Sequence, residues 1–89
     1  MTAVDLSDTQ RVLKLIERAR LLIAIDDDMP TEIKLNTQPL LKMLEAEICA
    51  DTVDERRASG YYGALYAELA PYPDVEALLS AMRVFLSFL

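Results

Sequence analysis

The sequence predicts an all-α protein, a small antiparallel bundle of about four helices. Three observations carry this. The last segment, PDVEALLSAMRVFLSFL, places Val75, Leu78, Leu79, Met82, Phe85, Leu86 and Leu89 at the spacing of a heptad seam. Prolines and capping residues divide the chain into four helical segments. No stretch alternates apolar and polar residues with the period of two that a half-buried strand requires.

The first helix is expected near residues 8–26. Ser7 is followed three residues later by Gln10, a capping-box spacing. Val12, Leu15, Ile16, Ala19, Leu22 and Ile23 then share one face. The run Asp26-Asp27-Asp28 ends the helix, because carboxylates at a C-terminus oppose the helix dipole, and Pro30 follows. Residues 29–39 read as the longest irregular segment, with Ile33 and Leu35 as anchors in the core and room for one short helical turn. The second helix is expected near 38–50. Thr37 would be its N-cap and Pro39 would sit in its first turn, where proline is tolerated. Leu40, Leu41, Leu44 and Ile48 would form its buried face. The third helix is expected near 53–70, opened by a second capping box of Thr52 and Glu55 and closed by Pro71. The fourth is expected near 74–89, with Asp74 as its N-cap.

Both glycines of the chain, Gly60 and Gly63, fall inside the third helix. Each costs a helix interior about 1 kcal/mol relative to alanine. On a helical wheel Ala58, Tyr62, Leu65 and Leu69 fall together, flanked by Tyr61 and Tyr66. Gly60, Gly63, Ala64 and Ala67 fall on the opposite side. Small residues at this spacing let another helix backbone approach closely. The alternative is a break, with one short helix ending at Ser59 and another starting at Tyr61. The continuous helix is favoured, since DERRAS alone makes a poor free-standing helix.

The fourth helix has a second apolar face, Ala77, Ala81, Val84 and Phe88, and only a narrow polar stripe of Glu76, Ser80, Arg83 and Ser87. The small seam of the third helix would cover that face within the chain, or a second copy would cover it from outside. LLIAI, residues 21–25, is likewise apolar all round.

At 89 residues the chain makes a single domain, residues 1–89, near the lower limit for a self-sufficient core. Its net charge of −6 repels phosphate backbones and anionic lipid surfaces, which points away from nucleic acid and membranes. Apolar residues make up 53%, yet no apolar run reaches the roughly 20 residues that span a bilayer. MTAVDLSDTQ has no basic segment followed by an apolar core, so no signal peptide is expected. The single cysteine excludes an internal disulfide. Together these make the cytoplasm the expected location.

Histidine is absent, which removes the commonest general base and the commonest metal ligand. No Ser-His-Asp or Cys-His arrangement can be built. Cys49 reads as a small packing residue between Ile48 and Ala50. Asp26–Asp28 lacks the alternating ligand spacing and the glycine of a calcium loop, and Glu45 and Glu47 do not share a helical face. No metal and no cofactor are therefore expected, and no enzymatic activity. In size and acidity the chain resembles acyl carrier proteins. These need an Asp-Ser-Leu at the start of their second helix, and neither Ser7 nor Ser59 has that setting, so the resemblance stops at size and charge. Tyr61, Tyr62, Tyr66 and Tyr72 are either a binding surface or a bundle lining with hydroxyls at the rim.

What remains is a non-enzymatic protein–protein interaction module, a small acidic helical regulator, chaperone or inhibitor that binds another protein. A self-assembling scaffold acting through helix–helix contacts is the alternative, and a homodimer is expected. The interaction surface expected on either reading comprises Gly60, Gly63, Ala64, Ala67, Ala77, Ala81, Val84, Phe88, Tyr61 and Tyr66.

Overall fold

The structure, a computed structural model, describes residues 6–89, with side chains described from Asp8 onward. The expected absence of a leader rests on residues 1–10, of which 1–5 lie outside the described residues. Among those described, the chain forms four helices and no strand: α1 (Leu6–Ile25), α2 (Thr31–Ile48), α3 (Glu55–Leu69) and α4 (Pro73–Phe85). The all-α bundle expected from the sequence is what forms. It is elongated, 44 × 19 × 16 Å. The most extensive helix pairs are α1 with α4 and α2 with α3; α1 also packs on α2, and α3 on α4.

The core follows the apolar periodicity. Val12, Ile16, Ala19 and Ile23 line it from α1, Leu41, Leu44 and Ile48 from α2, Ala58, Tyr62, Leu65 and Leu69 from α3, and Val75, Leu79 and Met82 from α4. Each large side chain withdrawn from water contributes about 1.5–3 kcal/mol before chain entropy is counted. Met29, at the corner between α1 and α2, is also buried.

The helix ends depart from expectation in four places. Ser7 lies inside the first turn of α1 rather than ahead of it, and its side chain is outside the described set, as is the capping box expected of it with Gln10. The second departure is the largest. α2 starts at Thr31, so most of the segment expected to be irregular is helical. Thr37 is therefore no N-cap. It is fully buried mid-helix, and its hydroxyl donates to the Ile33 carbonyl at 2.7 Å. Pro39 lies inside the helix and withdraws the N–H that would serve the Leu35 carbonyl. Continuing the helix extends the face of Leu41, Leu44 and Ile48 back through Thr37 to the half-buried Ile33. Leu35, expected as an anchor, falls off that face and is 69% exposed.

The third departure is at α3. Its N-cap is Asp54, whose carboxylate accepts from the Arg57 N–H at 3.1 Å, so the box expected of Thr52 and Glu55 is not the cap. The Glu47 carboxylate accepts from the Asp54 N–H at 3.0 Å and ties the end of α2 to this cap. The fourth is α4, where Tyr72 holds the N-cap position, Pro73 opens the helix and Asp74 lies in the first turn. The helix ends at Phe85, four residues short of the expected end, with Leu86 extended. Leu86 and Leu89 are nonetheless buried, so the seam continues beyond the helix. Cys49, expected as a packing residue, is the exposed C-cap of α2.

The corner after α1 is held by side chains. Asp26 accepts from the Asp28 N–H at 2.9 Å, and Lys34 donates to the Ala24 carbonyl at 3.4 Å, supplying the cation that the C-terminus of α1 lacks. Arg20 pairs with Glu45 at 3.1 Å, and Gln38 donates to the Arg20 carbonyl at 3.3 Å. These bonds fix α1 and α2 as antiparallel neighbours. The ion pair is well exposed, so it contributes at most about 1 kcal/mol.

Candidate functional site

α3 is continuous through both glycines, as the wheel favoured. Its small residues Gly60, Gly63, Ala64 and Ala67 are all exposed, directly opposite the buried Ala58, Tyr62, Leu65 and Leu69. Neither glycine has positive φ. A Cβ built at either position meets nothing within 4 Å. No neighbouring helix approaches the seam, so of the two alternatives the sequence leaves open, cover of the second α4 face by this seam within the chain does not occur. Nothing inside the fold offsets the helix cost of the two glycines.

The tyrosines divide. Tyr62 is buried, and its hydroxyl donates to the Leu79 carbonyl at 2.6 Å, bridging α3 to α4. Burial pushes its pKa above the ordinary phenol value. The Tyr66 hydroxyl donates to the Glu76 carboxylate at 2.8 Å, and so does the Ser80 hydroxyl, at the same distance and to the same oxygen. The hydrogen bond to Glu76 raises the Tyr66 pKa, and the bonds from Ser80 and Tyr66 lower that of Glu76. Tyr61 and Tyr72 are half-buried against the core. The group therefore lines the bundle: Tyr62 and Tyr66 have hydroxyls committed to α4, and Tyr61, Tyr66 and Tyr72 are each half-buried.

On α4, Val84 is 79% exposed, Ala77 is exposed and Ala81 is half-buried, whereas Phe88, expected on the same helical face, lies beyond the end of α4 and packs half-buried against the core. The second apolar face is thus only partly covered. α1 adds two residues outside the expected surface, Leu21 and Ile25, which are 60% and 62% exposed. Their signal in the sequence is LLIAI, whose apolar residues encircle the helix and cannot all face one core.

α1 and α4 run antiparallel, with a cleft at each end of their junction. One, about 360 Å³, is lined by Leu22, Ile25, Asp26, Asp28, Tyr72 and Asp74 among others. The other, about 240 Å³, is lined by Arg11, Lys14, Leu15, Arg18 and Phe85. The Arg11 guanidinium lies 5.5 Å from the centre of the Phe85 ring, within cation–π range. Two clefts in one junction are therefore acidic and basic respectively.

Among the described residues, no three or more acidic or cysteine side chains gather as a metal site, and no buried side-chain polar atom lacks a hydrogen-bond partner. Among the same residues, no helix is long and apolar enough to cross a membrane. No family model matches the chain, and no curated protein or solved structure matches it.

Proposed function

We propose that the protein is a non-enzymatic interaction module that receives a helix of another protein along the outer face of α3. The observation that carries this reading is the exposed seam of Gly60, Gly63, Ala64 and Ala67. Two glycines mid-helix lower helix stability by about 1 kcal/mol each, and no turn, positive φ or close approach within the chain requires them. A smooth, side-chain-poor strip is useful to a second helix whose backbone must come close. Tyr61 and Tyr66 flank the strip, and each can add aromatic area to an incoming helix. The chemistry available agrees: a chain without histidine, with its buried hydroxyls committed to carbonyls, supports binding more readily than catalysis.

The test is capture from the native host with the wild-type chain and with Gly60→Leu/Gly63→Leu. Leucine is a good helix former, and both positions open onto solvent, so the variant folds. A partner held stoichiometrically by the wild type and lost by the variant supports the reading. A partner held equally by both refutes it. Self-association through helix–helix contacts is a second reading, favoured by a different observation, the exposure of Leu21, Ile25 and Val84.

A further inference from the structure

Along the outer side of α1, Arg11, Lys14, Arg18, Leu21 and Ile25 follow one another at intervals of three and four residues, so they form a single stripe. The stripe borders the groove between α1 and α4. At one end Lys14 and Arg18 line the basic cleft beside Phe85. At the other, Asp28 and Asp74 line the acidic cleft. Between the two, Leu21 stands well out into solvent, and Ile25, equally exposed, stands at the edge of the acidic cleft. A surface that is positive at one end, apolar in the middle and negative at the other is complementary to its own reversed copy.

We propose that this stripe docks a second copy of the chain, antiparallel, about a two-fold axis passing close to Leu21. Lys14 lies seven residues before Leu21 and Asp28 seven after it. At 1.5 Å per residue Lys14 sits about 10 Å from the axis along α1, and Asp28 lies on the other side of it, in the turn just beyond Ile25. The rotation therefore lays the Lys14 end of each copy over the Asp28 end of the other, and brings the two Leu21 side chains together. Isologous contacts of this kind use every favourable pairing twice. An acidic partner would satisfy only the basic end and a basic partner only the acidic end; the reversed copy satisfies both. This inference deepens the self-association reading, and it does not involve the α3 seam.

The experiment is sedimentation of the full chain over a concentration series, with far-UV circular dichroism of each variant. Wild type is expected to dimerise. Leu21→Asp is expected to weaken the dimer roughly a hundredfold or more, since the side chain is buried once from each copy, with helical signal unchanged. The second arm exchanges charge. Lys14→Glu/Arg18→Glu makes both ends acidic, and Asp28→Lys/Asp74→Lys makes both ends basic. Each variant alone is expected to be monomeric, and an equimolar mixture is expected to form a heterodimer. Net charge alone would favour association of the second variant, whose two substitutions bring it from −6 to −2, so its failure to self-associate reports the local pattern. A dimer that survives all the groove substitutions overturns docking at this stripe and leaves self-association standing on another surface. Docking at the stripe is equally overturned if the mixed variants do not pair. A wild type that stays monomeric at the highest concentration overturns both.

Discussion

Replacing both glycines of α3 by alanine should make the protein more stable. Gly60 and Gly63 have ordinary negative φ, so alanine fits the existing backbone. A Cβ at either site meets nothing within 4 Å, so the change introduces no clash and no new packing. What remains is the difference in helix propensity, which comes mainly from the lower backbone entropy of alanine in the unfolded chain. That difference is about 0.5–1 kcal/mol per site. The two sites share no partner, so the effects should add, to about 1–2 kcal/mol together. For a domain of this size, 1 kcal/mol corresponds to roughly 4–8 °C in Tm. Urea unfolding followed by circular dichroism is the assay. The midpoint should rise with an unchanged slope, since no extra surface is buried. The reverse substitutions Ala64→Gly and Ala67→Gly, on the same exposed strip, should lower it by a similar amount. A midpoint that is unchanged or lower in the double alanine variant refutes the reasoning, because it means that the strip is already occupied at the positions where the structure shows open space.

Asp54→Ala removes the side chain that caps α3 and should cost about 1 kcal/mol in the same assay. Tyr62→Phe keeps the ring but deletes the hydroxyl that reaches the Leu79 carbonyl, and should cost about 0.5–1.5 kcal/mol, read as a lower urea midpoint. Pro39→Ala should stabilise by about 1–3 kcal/mol, because it returns an N–H to the Leu35 carbonyl inside α2; an unchanged midpoint would show that the helix has already adapted to the ring. The pH profile of stability should fall at both ends. Hydrogen bonds from Ser80 and Tyr66 lower the Glu76 pKa, so its contribution is complete above the ordinary carboxylate value and is lost as pH falls through the lowered one. Tyr62 and Tyr66 have raised values, so their contribution is complete below about pH 10 and is lost as pH rises through the raised values. Glu76→Gln should flatten the acid limb in a pH series of urea midpoints.

Much of this protein follows from the order of its residues alone. The period of Val12, Ile16, Ala19 and Ile23, and of Ala58, Tyr62, Leu65 and Leu69, names the buried faces, because a helix can turn only one stripe toward a core. The break between α1 and α2 was legible in three adjacent carboxylates, and the continuity of α3 through Gly60 in the weakness of DERRAS as a separate helix. The extent of α2 was not legible. Local preference places Thr37 and Pro39 at a helix start, but aligning the half-buried Ile33 and the buried Thr37 with the face of Leu41 and Leu44 continues the helix through a proline. Propensity differences are about 1–3 kcal/mol per residue, and a buried face of several side chains outweighs them. The starts of α3 and α4 likewise fall at Asp54 and Tyr72 rather than at the expected Thr52 and Asp74. The candidate surfaces divide likewise. The wheel separates the small seam of α3 from its bulky face, but only the packed structure shows that the seam stays uncovered and that α4 turns Tyr62 and Tyr66 toward its carbonyl and carboxylate partners instead. That α1 and α4 together set a basic cleft against an acidic one, with Leu21 between them, depends on which helices become neighbours. Neighbour choice belongs to the whole bundle, because residues far apart in the chain meet only when all four helices have found their places.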